Sequence, residues 1–325
     1  MNRRQFLKWL SLISSAAALT SCNLPRQTPT GTPVTSTDTP TPTETLSPTG
    51  TATTAPSPTA TPDPRIKVGI ARAASYEPAL VRAQLQTLLD GIGGLSTLIK
   101  PGARVGIKTN LTGAPWWDAS LPRPAAELFV THPAVVGALG ELCLDCGASA
   151  LYIMDGIADE ITWQSWGYQD MAAPLGAQLV NLCSPAPYPD FQNFPVGAGF
   201  LAFEQFSLNP LLAEVDVLIS VAKLKVHTTT GTTLTMKNLV GLTPIQPYAR
   251  NAADTNRSAL HNTVDGFDDL MPRVIVDLNR TCPVQLGVID GILTCEGGAG
   301  PWDTLLPADA GLLLAGFDPV AVDAV

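Results

Sequence analysis

Beyond its first twenty or so residues the sequence has no apolar run long enough to cross a bilayer as a helix. It lacks positive charge as well. Residues 65–325 keep 15 of the 19 Lys and Arg and 25 of the 28 Asp and Glu, about −10 net, which argues against nucleic-acid binding. Histidine is scarce: His132, His227 and His261 are the only three. Beyond Cys22 the cysteines are Cys143, Cys146, Cys183, Cys282 and Cys295. An odd number excludes complete intrachain pairing, so at least one is a free thiol or a metal ligand. One further absence is local: no carboxylate occurs between Asp216 and Asp254, although the chain is acidic overall.

That acid-free interval holds Lys223, Lys225, Lys237 and Arg250. It opens with a buried-strand pattern, Val215 to Val221, and continues Ser220-Val-Ala-Lys-Leu-Lys-Val-His227. In a strand, Lys223, Lys225 and His227 share one face because the side-chain period is two. Thr228, Thr229, Thr230, Gly231, Thr232 and Thr233 follow, then Lys237, Asn238 and Gly241. Cations, hydroxyls and backbone N–H groups without competing acids suit a bound anion; the plainer alternative is a solvated basic loop. Neighbouring lysines would lower the His227 pKa and favour neutral imidazole, fit for a base or a metal ligand.

The N-terminus reads as an export signal. Arg3-Arg4-Gln5-Phe6-Leu7-Lys8 precedes a mildly apolar stretch from Trp9 to Leu19, resembling a twin-arginine signal. Leu19-Thr20-Ser21-Cys22 resembles a lipobox, with Cys22 the lipidated residue. Residues 23–64 read as a disordered linker: positions 25–64 contain 15 Thr and 10 Pro, a composition that cannot bury a core. The expected organisation is therefore a signal peptide over 1–22, a linker over 23–64 and a folded domain over 65–325. The expected location is the outer face of the cytoplasmic membrane.

Within the domain, strand patterns fall at 65–71, 103–108, 150–154, 177–182, 215–225, 284–289 and 310–315. Helical patterns fall at 78–92, 133–146 and 262–279, the second with Thr131 as N-cap. Alternating strands and helices, several strands continuously apolar, predict an α/β domain with a mostly parallel sheet covered by helices on both faces. Ligands of such sheets bind beyond the carboxyl ends of the strands. Lys108 and Asn110, Asp155, Lys223 to His227 and Asp290 all sit at such ends. Asp155-Gly-Ile and Asp290-Gly-Ile repeat one pattern, open to a metal-binding or a turn reading. Glu296-Gly-Gly-Ala-Gly-Pro301 reads as a mobile acid-bearing loop, a lid or phosphate cradle. Cys143-x-x-Cys146 is a lone pair, too few ligands for zinc or an iron–sulfur cluster by itself.

Lys108-Thr-Asn-Leu111, Thr131-His-Pro-Ala-Val-Val136, the strand with Met154-Asp-Gly156, the segment 220–244 and Ile289-Asp-Gly-Ile…Glu-Gly-Gly-Ala-Gly-Pro301 together resemble the family called domain of unknown function 362. Some members carry ferredoxin-type iron–sulfur segments; this chain has no such cysteine run, so the resemblance implies no cluster. It implies no defined reaction. Relatives continue past Val325, so the resemblance suggests a truncated C-terminus.

Three functions remain open. In the first, an enzyme acts on a phosphate- or carboxylate-bearing molecule. Lys108, Asn110, Lys223, Lys225, Lys237 and Asn238 bind it, His227, Asp290 and Glu296 move protons, and Asp155 and Asp290 hold a divalent metal. The second is an anion-binding lipoprotein without turnover. The third is a redox protein using thiols or a cluster.

Overall fold

The computed structural model describes residues 66–261, 263–264, 267–298 and 300–325. The chain divides into two units, Met1–Thr59 and Ala60–Val325, and every described residue lies in the second. The expected signal, Cys22 and the Thr/Pro-rich linker fall outside the described residues.

The apolar runs become strands buried on both faces, as their lack of alternation requires. In chain order the elements are β1 (Val68–Arg72), α1 (Pro78–Ile92), β2 (Arg104–Lys108), α2 (Pro133–Asp145), β3 (Ala150–Asp155), α3 (Ile161–Ser165) and α4 (Tyr168–Ala172). There follow β4 (Gln178–Asn181), β5 (Gln192–Pro195), β6 (Gln205–Leu208), β7 (Val217–His227), β8 (Gly231–Thr233), β9 (Thr263–Val264) and β10 (Phe267–Asp268). The chain closes with α5 (Leu270–Thr281), β11 (Leu286–Glu296), β12 (Leu306–Ala308), β13 (Leu312–Gly316) and α6 (Pro319–Asp323). The main sheet runs β1-β13-β11-β7-β2-β3-β4. β11, β7, β2, β3 and β4 are parallel, and β13 runs against both of its neighbours. This is the mostly parallel α/β sheet that the sequence predicts.

Period two sends alternate side chains into two layers. Val105, Ile107, Leu151, Ile153, Val217, Ile219, Val221, Leu286 and Val288 pack with α1 and α2. Met154 and Leu218 face the other layer, against β6, α5 and the turn Lys237–Leu242. Each fully buried Leu, Ile or Val stabilises by roughly 1.5–3 kcal/mol before ordering costs. These layers, rather than the ion pairs described below, carry the fold.

The helix ends follow from local chemistry. The Glu77 carboxylate caps α1 by accepting from Ala79 N (3.1 Å) and Leu80 N (2.7 Å). At α2 the cap is His132, not Thr131: His132 Nδ1 accepts from Ala134 N at 3.1 Å. Thr131 is occupied elsewhere, accepting from Asn110 N (3.0 Å) and donating to Val221 O (2.9 Å), so it ties the end of β2 to β7. The third helix begins at Leu270, eight residues later than the pattern suggests.

Candidate functional site

β2, β3, β7 and β11 are neighbours, so their carboxyl ends bring Lys108, Asp155, Lys223 and Asp290 to one edge of the sheet. Two buried ion pairs form there. Lys108 Nζ donates to Asp155 Oδ1 at 2.7 Å, to Thr109 O at 2.6 Å and to Asn238 Oδ1 at 3.3 Å. The other oxygen, Asp155 Oδ2, accepts from Leu111 N (2.7 Å) and Thr109 Oγ1 (3.2 Å), and Gly156 N donates to Oδ1 at 2.7 Å. The second pair faces the α1/α2 layer. Lys223 Nζ donates to Asp290 Oδ2 (3.1 Å), Ala126 O (2.8 Å) and the Tyr76 hydroxyl (2.8 Å). Tyr76 in turn donates to Asp290 Oδ1 at 2.7 Å, and His132 N donates to Oδ2 at 2.9 Å. The Tyr76 and His132 rings stack 3.6 Å apart.

Burial lowers the pKa of both lysines, and their aspartates oppose it. Burial likewise lowers His132 to about 4. Such pairs are costly to bury and costlier to break, because either partner alone is an uncompensated charge. The fit around the first pair is close. A Cβ at Gly241 would lie 2.6 Å from Lys108 Nζ and 2.8 Å from Asp155 Oδ1. That explains the glycine ending the motif.

Three further cations, Lys225, Lys237 and Arg257, lie close enough to the pairs and to one another to interact electrostatically. Lys225 is buried, donates to Thr112 Oγ1 at 3.1 Å and lies 5.6 Å from the centre of the Phe129 ring. Burial, then Lys237, pushes its pKa well below the ordinary range. Lys237 is half-buried; burial and the charges of Lys108 and Arg257 lower it to about 8. Among the described residues neither Lys237 nor Arg257 forms an ion pair. Arg257 donates to Thr243 O (2.6 Å), Gly156 O (3.0 Å) and Cys183 Sγ (3.7 Å). His227 is lowered to about 3 by burial, Lys237, Lys225 and His261. Its Nδ1 accepts from Thr229 N at 3.1 Å, so the neutral ring carries its proton on Nε2. Two buried polar atoms here have no partner among the described residues: Asn110 Oδ1 and Thr233 Oγ1. Thr233 is the cross-strand partner of Lys225 and shares its face.

The expected residues divide accordingly. Lys108, Asn110, Asp155, Lys223, Lys225, Lys237, Asn238 and Asp290 do gather at the strand ends. Asp155 and Asp290, expected as metal ligands, instead spend their oxygens on ammonium, hydroxyl and backbone N–H donors. No group of three His, Cys, Asp or Glu suited to a metal forms among the described residues. Glu296 is exposed, because β11 runs on through Asp290-Gly291 and ends there, paired with Leu306 of β12. The segment read as a mobile loop is thus partly strand, and Ala299 lies outside the described residues. All five described cysteines are free. Tyr76, Thr112 and Arg257 were not singled out from the sequence, and nothing in their local pattern marks them; Thr233 stood out only as one of a run of hydroxyls.

A groove of about 700 Å³ lies elsewhere, along the outer edge of β1 and against α1, lined by Ile66, Ile70 and Gln84 among others. Its only cations are Lys67 and Arg72, and it contains none of the residues above.

Fold and site together define an α/β protein with buried Lys–Asp pairs and further cations at the ends of parallel strands. The chain belongs to the family described as domain of unknown function (DUF362), whose model matches residues 105–325. It is 29% identical over 266 residues to the thylakoid-associated protein sll1697 of Synechocystis sp. (strain ATCC 27184 / PCC 6803 / Kazusa), covering 79% of this chain and 72% of that protein. A crystal structure of a protein from Thermotoga maritima is similar at 12% identity and a TM-score of 0.37. The match covers 77% of this chain and 57% of that one.

Proposed function

We propose that the protein binds a small anionic molecule, bearing phosphate or carboxylate, at the carboxyl ends of β2, β7 and β11. The observation that carries this is the charge of Lys237 and Arg257, which form no ion pair among the described residues and lie beside two Lys–Asp pairs whose carboxylates are already taken by donors. A ligand anion would supply the missing charge and raise the depressed lysine pKa values. Lys237, Lys225 and Arg257 contact the anion. The neutral His227 ring offers Nε2–H as a donor, and the Thr233 hydroxyl offers another. Lys108, Asn238, Asp155, Lys223 and Asp290 hold the floor rigid.

Purified protein heated with and without inorganic phosphate tests the reading. Ligand at 100 times its Kd should stabilise by about 2.7 kcal/mol. Lys225→Met with Lys237→Met should remove that gain while leaving the unliganded fold; a retained gain refutes the site.

A second reading, catalysis, is favoured by Lys225. Burial and the Lys237 charge shift Lys225 toward the neutral amine, the form suited to proton abstraction or to attack on a carbonyl. In this reading Lys225 replaces His227 as the base, since the His227 tautomer leaves only a donor outward. Asp290 and Glu296 take no part, one being saturated and the other exposed.

The relative's name places that protein at thylakoids. No helix among the described residues is long and apolar enough to cross a membrane. Membrane attachment through lipidated Cys22, following export, accounts for both and belongs to the same proposal.

A further inference from the structure

The partnerless carbonyl of Asn110 says something about the ligand beyond its charge. Asn110 is 8% exposed. Its amide nitrogen is committed, donating to Asn238 Oδ1 at 3.1 Å, and its backbone N–H is committed to Thr131 Oγ1 at 3.0 Å. The orientation is fixed by these neighbours. Asn238 Oδ1 also receives Lys108 Nζ, while Asn238 Nδ2 donates to Lys108 O (3.2 Å) and Ser220 Oγ (3.1 Å). Turning the Asn110 amide over would set two carbonyl oxygens against each other. Asn110 Oδ1 is therefore a fixed acceptor, and it has no donor among the described residues.

A buried acceptor left unpaired is costly, and a site built to accept a hydrogen bond rejects ligands that cannot give one. Lys108 Nζ, which shares the Asn238 oxygen with the Asn110 amide, draws an anion toward this end of the site, whereas the Asn110 oxygen repels one. We infer that the ligand carries a hydrogen-bond donor beside its anionic group: a protonated phosphate, or a hydroxyl next to a carboxylate. This rests on the anion-binding reading and narrows it to anions with an O–H.

Hydrogenphosphate and sulfate separate the two ideas. They match in shape and carry the same charge when both are dianions, and they differ by one proton. Glycolate and acetate make the corresponding pair among carboxylates and distinguish the two sources of the O–H. Titration calorimetry of each into the unaltered protein should give tighter binding of phosphate than of sulfate, or of glycolate than of acetate, by roughly tenfold or more. Asn110→Leu should bring the preferred pair to within about twofold while still binding the anion. If that variant fails to fold, the unaltered protein's selectivity decides alone. Equal or tighter binding of both donor-free members overturns the inference and leaves the anion site standing. Failure of all four anions to bind removes the anion site and the inference with it.

Discussion

Raising the pH from 8 to 10 in the presence of phosphate probes the charge state of Lys237. Free in solution a lysine titrates near 10.5; here burial, Lys108 and Arg257 bring it to about 8. The difference corresponds to about 3 kcal/mol of penalty on the charged form, at roughly 1.4 kcal/mol per tenfold. The sign follows directly. With a folded pKa below the unfolded one, the unliganded protein loses this contribution to stability as pH falls from 10.5 to 8. A bound anion favours the ammonium and restores the higher pKa, so binding takes up a proton wherever the free amine is neutral. Between pH 8 and 10, where phosphate stays a dianion, affinity should fall about fivefold over the first unit and nearly tenfold over the second, about 50-fold in all. At pH 8 calorimetry in buffers of different ionisation enthalpy should register uptake of at least half a proton, and more if Lys225 titrates too. Lys237→Met should abolish the Lys237 share of the uptake. Affinity independent of pH over this range, with no proton uptake, would refute the assignment.

Three other outcomes are expected. Lys223→Met and Asp290→Asn each strand buried polar or charged partners and should cost about 3–5 kcal/mol, a fall in Tm of roughly 6–20 °C, whereas Lys223→Met with Asp290→Leu should recover much of it. Differential scanning calorimetry measures this, and additive losses would contradict the pairing. Gly241→Ala should destabilise by several kcal/mol in chemical denaturation, because its Cβ meets the Lys108–Asp155 pair; a neutral effect would mean the packing there is loose. Cys22→Ala should move the protein from the membrane fraction to the soluble fraction and abolish labelling by fatty-acid analogues. Unchanged fractionation would count against lipid anchoring.

Much of the fold was legible because its signals are local. The boundaries of α1 come directly from Glu77-Pro78 at one end and Ile92-Gly93 at the other. The apolar runs of β2, β3 and β7 could only be buried strands in this setting. The continuation of β11 was hidden by Asp290-Gly291, which reads as a turn in isolation. In the sheet the Asp290 carboxylate meets Lys223, and a Cβ at Gly291 would lie 2.9 Å from Leu224 Cδ2. The start of the third helix was misplaced because helical spacing extends upstream of Leu270 without a stop signal. At the site, the lysines stood out through charge and period. Their partners did not: Tyr76 meets Asp290 across 214 residues, and Arg257 meets Gly156 across 101. Contacts of that range are set by strand order, which local pattern does not encode. The sequence could not separate a metal site from an ion pair at Asp155 and Asp290, since carboxylates at strand ends suit a lysine ammonium as well as a metal ion.

The most direct measurement is a crystal structure of the protein soaked in tungstate, a heavy tetrahedral anion located by its anomalous scattering. The account predicts a peak against Lys237 and Lys225, within reach of Arg257, and its loss in the Lys225→Met, Lys237→Met protein. Peaks confined to exposed cations such as Lys67 and Lys100, with none between β2, β7 and the turn at Lys237, would contradict it.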